Sequence, residues 1–274
     1  MTAKGGRLRI LSLNGWGGRL GEELVAYVSS TDPDLFCLQE ATRTPAATSP
    51  WLVYRDGGGE LLQRANLFGE VADALPGHQA FFCPAARGPL YDSDRTLRSE
   101  WGLATFVRRS LPIIGQLQDF IHGAFSADDF GEHPRSRNAH AVRLHDYVTG
   151  NAVLVAHLHG LRELDGKGDT PARDAQTARL VELIGRIRRK GDRLVVCGDF
   201  NVLPESRMLT ELRSIGLTDL VTQGGFTDTR TSHYLKAPRF ADYMLVSDNV
   251  DVRNFEVVGQ PEVSDHRALL LEIG

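Results

Sequence analysis

A chain of 274 residues, 42% hydrophobic and 24% charged, is composed like an ordinary globular protein with room for an ample core. No run approaches the ~18 apolar residues of a membrane span, and Met1 to Gly6 lacks the apolar centre of a signal peptide, so a cytoplasmic address is expected. The net charge is −4 and bases cluster only at Arg186 to Lys190 and at Arg135 with Arg137, which argues against tight non-specific binding to duplex DNA.

Taken in chain order, Leu8 to Asn14 alternates like a strand, and Glu22 to Ser30 fits a short helix. Pro33 to Glu40 is a short apolar strand that ends on a Gln-Glu pair. A helix over Asn66 to Leu75 precedes a strand at Gln79 to Cys83, and further strands fit Gly102 to Arg108, Asn138 to Leu144 and Ala152 to His157. The clearest helix runs from Pro171 to Lys190, with Thr170 as N-cap, proline in the first turn and Leu180, Leu183, Ile184 and Ile187 on one face. Leu194 to Asn201 is an apolar strand closing on Gly-Asp-Phe-Asn, and a helix fits Ser206 to Ser214. Strands at Ala241 to Val246, Val252 to Val257 and Ala268 to Ile273 complete the chain. Ile121 to Ser136 and His159 to Asp169 lack regular pattern, and loops of that length are usually functional or mobile. Cys37 and Cys197 sit inside strands and read as small core residues of a reducing compartment.

The strand ends carry the chemistry. Asn14, Glu40, Asp199, Asn201, Asp242, Asp265 and His266 each lie at the edge of an apolar run, where polar groups must find partners or a ligand. Hard oxygen donors with one imidazole at the mouth of a sheet suit octahedral Mg²⁺, with Mn²⁺ as a substitute, better than zinc. Because these residues come from both halves of the chain, residues 1–274 are expected to form a single domain, with 8–273 as its ordered core.

These blocks, in this order from Leu8 to Ile273, resemble the endonuclease/exonuclease/phosphatase superfamily, which includes deoxyribonucleases, apurinic endonucleases, sphingomyelinases and inositol polyphosphate phosphatases. The resemblance implies an α/β fold: a four-layer sandwich of two packed, mostly antiparallel or mixed sheets flanked by helices. It implies a divalent metal held by Glu40, with Asn14 beside it and Asp265 completing the set. Asp199 would then be general base or water-orienting carboxylate, Asn201 a donor to the phosphate, and His266 a phosphate contact oriented by Asp242. His157 matches a second family histidine, with Glu100 placed to orient it and Arg137 able to contact phosphate. His159 points with His157 only if the strand continues through it, and His133 and His140 have no claim beyond proximity. The resulting expectation is a monomeric Mg²⁺-dependent phosphodiesterase acting on nucleic acid, a nucleotide or a phospholipid headgroup, with a nuclease as one form of it. The alternatives are a phosphomonoesterase for a small metabolite or lipid headgroup and, with every core residue present, less readily an inactive binding protein.

Overall fold

The computed structural model describes residues 7–56, 59–93 and 95–274, so Met1 to Gly6 lie outside the described residues. The strands are β1 (Leu8–Asn14), β2 (Leu35–Arg43), β3 (Trp51–Asp56), β4 (Gly59–Arg64), β5 (His78–Asp92), β6 (Arg95–Arg108), β7 (Ile113–His122), β8 (Arg137–Asp146), β9 (Asn151–His159), β10 (Arg193–Asp199), β11 (Leu217–Asp219), β12 (Asp242–Ser247), β13 (Val252–Val257) and β14 (Leu269–Ile273). The helices are α1 (Gly21–Thr31), α2 (Leu67–Ala74), α3 (Pro171–Ile187), α4 (Arg207–Ser214) and the single turn α5 (Leu220–Gln223). Eight strands form one sheet in the order β13-β14-β1-β2-β6-β5-β3-β4, and six form the other in the order β11-β12-β10-β9-β8-β7. Only the β1–β2 and β9–β10 ladders are parallel, so both sheets are mixed. This is the four-layer sandwich that the resemblance implied.

The period of two in the strands decides which side chains meet. In β1, Leu8 and Ile10 face the second sheet, whereas Leu11 and Leu13 face outward against Leu24 and Val28 of α1 and Leu67 and Val71 of α2. On the far side, Leu180, Leu183 and Ile184 of α3 and Leu209 and Leu212 of α4 cover the smaller sheet. Thr170 caps α3 by accepting from the Arg173 N–H. Among the described residues no helix is long and apolar enough to cross a membrane. The cysteines are free and buried, and Cys37 meets Cys197 between the sheets.

The sequence pattern did not reveal β3, β4, β7 or β11, and it shortened β5 and β6, which form one long hairpin. The exposed sides of β4 and β7 leave too few core positions for a strand signal.

Candidate active site

Strand register assembles the site. In the small sheet, Asp199 pairs with His159 across the parallel β9–β10 ladder and with Asp242 across the antiparallel β10–β12 ladder, so three functional side chains share one row. Glycine is required just before Asp199, because Gly198 has φ +132° and a Cβ there would lie 2.1 Å from the Leu158 carbonyl oxygen. Facing that row, Asn14 ends β1 opposite Gln39 of β2. Strict alternation would turn Glu40 outward with Leu38. Instead the β2 ladder slips between Leu38 and Ala41, and Glu40 adopts φ +56°, which turns its carboxylate into the cleft. A left-handed glutamate at a bulge is uncommon and marks a re-aimed side chain.

Asp199 is the hub. Its Oδ2 accepts from Asn14 Nδ2 at 3.0 Å, its Oδ1 accepts from the Asn201 N–H at 2.9 Å, and it faces His159 Nε2 at 3.6 Å and His266 Nε2 at 3.7 Å. Burial opposes its charge, yet His266, His159, Arg230 and Lys167 together hold its pKa well below the usual carboxylate range. His266 Nδ1 donates to Asp242, 2.9 Å from each carboxylate oxygen. Burial works against the imidazolium, but Asp242 and Asp199 outweigh it and raise the His266 pKa. His159 goes the other way: burial and Arg137 lower its pKa to about 3, so it is neutral. The surroundings thus push the pKa values of the two imidazoles that flank one carboxylate in opposite directions.

Glu40 is 26% exposed into the cleft. Its pKa is raised by the protein around it and by Asp265 and Asp199, and Asn14 partly offsets this. Asp265 Oδ2 accepts from Arg230 at 3.0 Å, whereas its Oδ1 is buried without a hydrogen bond, 3.7 Å from His266 Nε2. Mutually repelling carboxylates with an orphaned oxygen fit a hard divalent cation. Asp199, Asp242 and His266 also bring possible ligand atoms within 4.8 Å of one another. Asp242 and the His266 Nδ1 are already committed to each other, so Glu40 and Asp265 are the better place for the ion. Both ends of Asn14 are engaged, since Oδ1 accepts from the Trp16 N–H at 3.0 Å, so this residue braces Asp199 and Glu40 more than it offers a free ligand.

Arg137 lines the cleft. It is 5% exposed, lies 5.1 Å over the Trp101 ring and donates to the Gly160 and Ser136 carbonyls. Burial lowers its pKa to about 10. Asn201 also lines the cleft, with φ +55° and its amide donating to the Gly160 carbonyl.

Two assignments need correction. Glu100 does not orient a histidine; it pairs with Arg43 at 3.1 Å on the outer surface. Thr105 and Trp101 of β6 point inward, and Glu100, five residues from the first and one from the second, must point outward. His157 does not reach the cleft. It lies beneath it, bonded through Nε2 to Thr105 Oγ1 at 2.7 Å, and Thr105 in turn bonds His140 Nδ1 at 2.6 Å. The β9 histidine that lines the cleft is His159, because β9 runs through it and the period of two carries it two residues further towards the mouth. A strand that continued to Gly160 was the available signal.

Sequence reading also missed the cleft's charge. Its volume is about 760 Å³, and its lining holds eight Lys or Arg residues against four carboxylates. Arg135 with Arg137 is the one local cluster among them; the others, including Arg19, Arg162, Lys167, Arg230 and Lys236, are scattered along the chain, so no basic run announces them. The run at Arg186 to Lys190 lies away from the cleft, with Arg186 paired to Asp119.

A model of the Endonuclease/Exonuclease/phosphatase family matches residues 11–266. Among solved structures, a mannosyl-6-phosphatase of Bacteroides thetaiotaomicron superposes with TM-score 0.68 at 18% identity, over 97% of this chain and 99% of that one. The human Nocturnin catalytic domain does so with TM-score 0.64 at 18% identity, over 98% and 93%. D. rerio TDP2 complexed with single strand DNA product gives TM-score 0.63 at 16% identity, over 98% and 99%. At such identities the likeness is one of fold, and no curated protein matches the chain significantly. The family match over nearly the whole chain is decisive: this protein belongs to the endonuclease/exonuclease/phosphatase family, whose members hydrolyse phosphate esters.

Proposed function

We propose that the chain is a divalent-metal-dependent phosphoesterase. The observation that carries this reading is the Asp265 Oδ1, buried without a hydrogen bond in the same cleft as the Glu40 carboxylate and 3.7 Å from His266, whose pKa Asp242 raises against burial. Glu40 and Asp265 would hold Mg²⁺ or Mn²⁺, which when bound neutralises phosphate charge and makes water more acidic. The remaining work falls to the protein's own side chains. Asp199, fixed by Asn14 and the Asn201 N–H, orients the attacking water; its depressed pKa suits orientation better than proton storage. The His266 imidazolium stabilises charge growing on the phosphate oxygens, and Asp242 keeps its Nε2 aimed into the cleft. Arg137 and the Asn201 amide supply further donors at the cleft wall.

Both ester classes named from the sequence remain within this proposal, and one structural neighbour is described as a mannosyl-6-phosphatase while another carries a DNA product. The test is turnover of p-nitrophenyl phosphate and bis(p-nitrophenyl) phosphate with Mg²⁺ or Mn²⁺, before and after chelation. Hydrolysis that a chelator abolishes and added metal restores is the expected result. Undiminished turnover in excess chelator would remove the metal from the mechanism.

A further inference from the structure

The segment from Gly160 to Thr170 contains no helix or strand, yet it is firmly fixed. Arg173, 2% exposed in the first turn of α3, donates to the carbonyls of Leu161 at 3.2 Å, Gly166 at 2.9 Å and Gly168, and pairs with Glu163 at 2.7 Å. Asp169 accepts from Ser206 Oγ and the Arg207 N–H, tying the other end to α4. Ordering a loop costs conformational entropy, and a buried arginine spent on loop carbonyls offsets that cost here.

What the fixed loop delivers is Lys167. Its Nζ donates to the Phe240 carbonyl, and among the described residues no carboxylate forms an ion pair with it. Burial lowers its pKa, and the charge that most favours its protonated form is Asp199, the hub of the site. An ammonium has three donors, so two remain for a ligand in the cleft it lines. Arg230 comes from the facing segment, which is held in the same way: Arg239 donates to the carbonyls of Arg230, Thr231 and Tyr234. Arg230 lies 4.2 Å over the Tyr234 ring and contacts Asp265 and His266, and its Nε is buried without a partner.

We propose that Lys167 and Arg230 form a two-cation clamp that selects a terminal, doubly charged phosphate, carried by a small phosphomonoester or by the end of a chain. This deepens the phosphoesterase reading and rests on it. An internal diester carries one negative charge, which Arg230 can already meet. The second charge of a terminal phosphate finds its partner at Lys167, which the fixed loop holds at the cleft wall with two donors uncommitted and, among the described residues, no ion-paired carboxylate.

The test compares wild type, Lys167→Met and Lys167→Arg with Mg²⁺ on p-nitrophenyl phosphate, on bis(p-nitrophenyl) phosphate, and on a short single-stranded oligonucleotide with and without a terminal phosphate. Wild type is expected to prefer terminal phosphates. Lys167→Met should lower kcat/KM at least about tenfold on these and less than about threefold on the diester, with Lys167→Arg retaining most activity. Preference for p-nitrophenyl phosphate over the oligonucleotide end identifies a small monoester as the substrate, and the reverse identifies a chain end. Equal losses on both ester types, or a wild type that prefers the diester, overturn the clamp. If no ester is hydrolysed, the phosphoesterase reading fails instead, and calorimetric titration with inorganic phosphate decides the clamp by itself. Lys167→Met must then weaken phosphate binding about tenfold, and unchanged binding overturns it.

Discussion

At the residue scale, the site separates roles by charge environment. Asp199 is ionised and tightly held, the His266 pKa is raised against burial by Asp242 and Asp199, and His159 is neutral. Asp199→Asn and His266→Ala are each expected to lower kcat by ~10² or more, because the first removes the proposed orienting group for the attacking water and the second a contact to charge developing on the phosphate. Steady-state kinetics with folded variants checks this, and near-parental turnover would refute the role. In the proposed mechanism Asp242 acts through His266, and the pH profile tests that. The raised His266 pKa places loss of the imidazolium on the alkaline side, so activity should fall as pH rises through that value. Asp242→Asn removes the charge that outweighs burial, so the alkaline limb of kcat should move to lower pH. A limb that stays in place would mean that another group governs it.

At the element scale, the termini of β1, β2, β10 and β12 were legible because a polar residue ending an apolar run is conspicuous. Their convergence needed the resemblance, since periodicity gives no register between distant strands. Parity errors explain the rest: Glu100 was taken from the wrong face of β6, and β9 was ended two residues early. Lys167 and Arg230 lie in irregular segments whose shape depends on Arg173 and Arg239, and no local pattern announces a staple made by a distant guanidinium. Between the sheets, Gln116 donates to His140, which reaches His157 through the Thr105 hydroxyl. Burial lowers the His140 pKa from 6.5 to about 4 and also depresses that of His157. A depressed histidine stabilises the fold above its unfolded pKa, and that stability is lost as pH falls towards the folded value. Denaturant midpoints should therefore fall between pH ~6.5 and ~4, by up to about 3 kcal/mol from His140 alone. His140→Gln, which keeps a hydrogen-bonding group but cannot titrate, should flatten this decline, and an unchanged slope would place the titration elsewhere.

At the scale of the whole molecule, the site is also a joint. Asn14 and Glu40 belong to the larger sheet, and Asp199 and Asp242 to the smaller one. The Asn14–Asp199 and Asp242–His266 hydrogen bonds cross between them. Glu40, Asp199, Asp242 and Asp265 therefore concentrate negative charge at the seam, and in Glu40 that repulsion shows as a raised pKa. A bound divalent cation relieves it in the folded state alone, because the unfolded chain scatters these residues over most of its length. Ligand that binds only the folded state stabilises it by mass action, about 2.7 kcal/mol at a hundredfold excess over Kd. For a chain of this size that corresponds to a rise in Tm of roughly 5–10 °C. Mg²⁺ or Mn²⁺ should thus raise the Tm of wild type in a saturable way, and a chelator should reverse the rise. Glu40→Gln removes one repelling charge together with one ligand. Its metal-free Tm should accordingly match or exceed that of wild type, while the metal-induced rise shrinks and needs at least about tenfold more Mg²⁺. A variant that responds to Mg²⁺ as wild type does would show that the ion sits away from Glu40, and the proposed division of labour between Glu40, Asp265 and Asp199 would have to be redrawn.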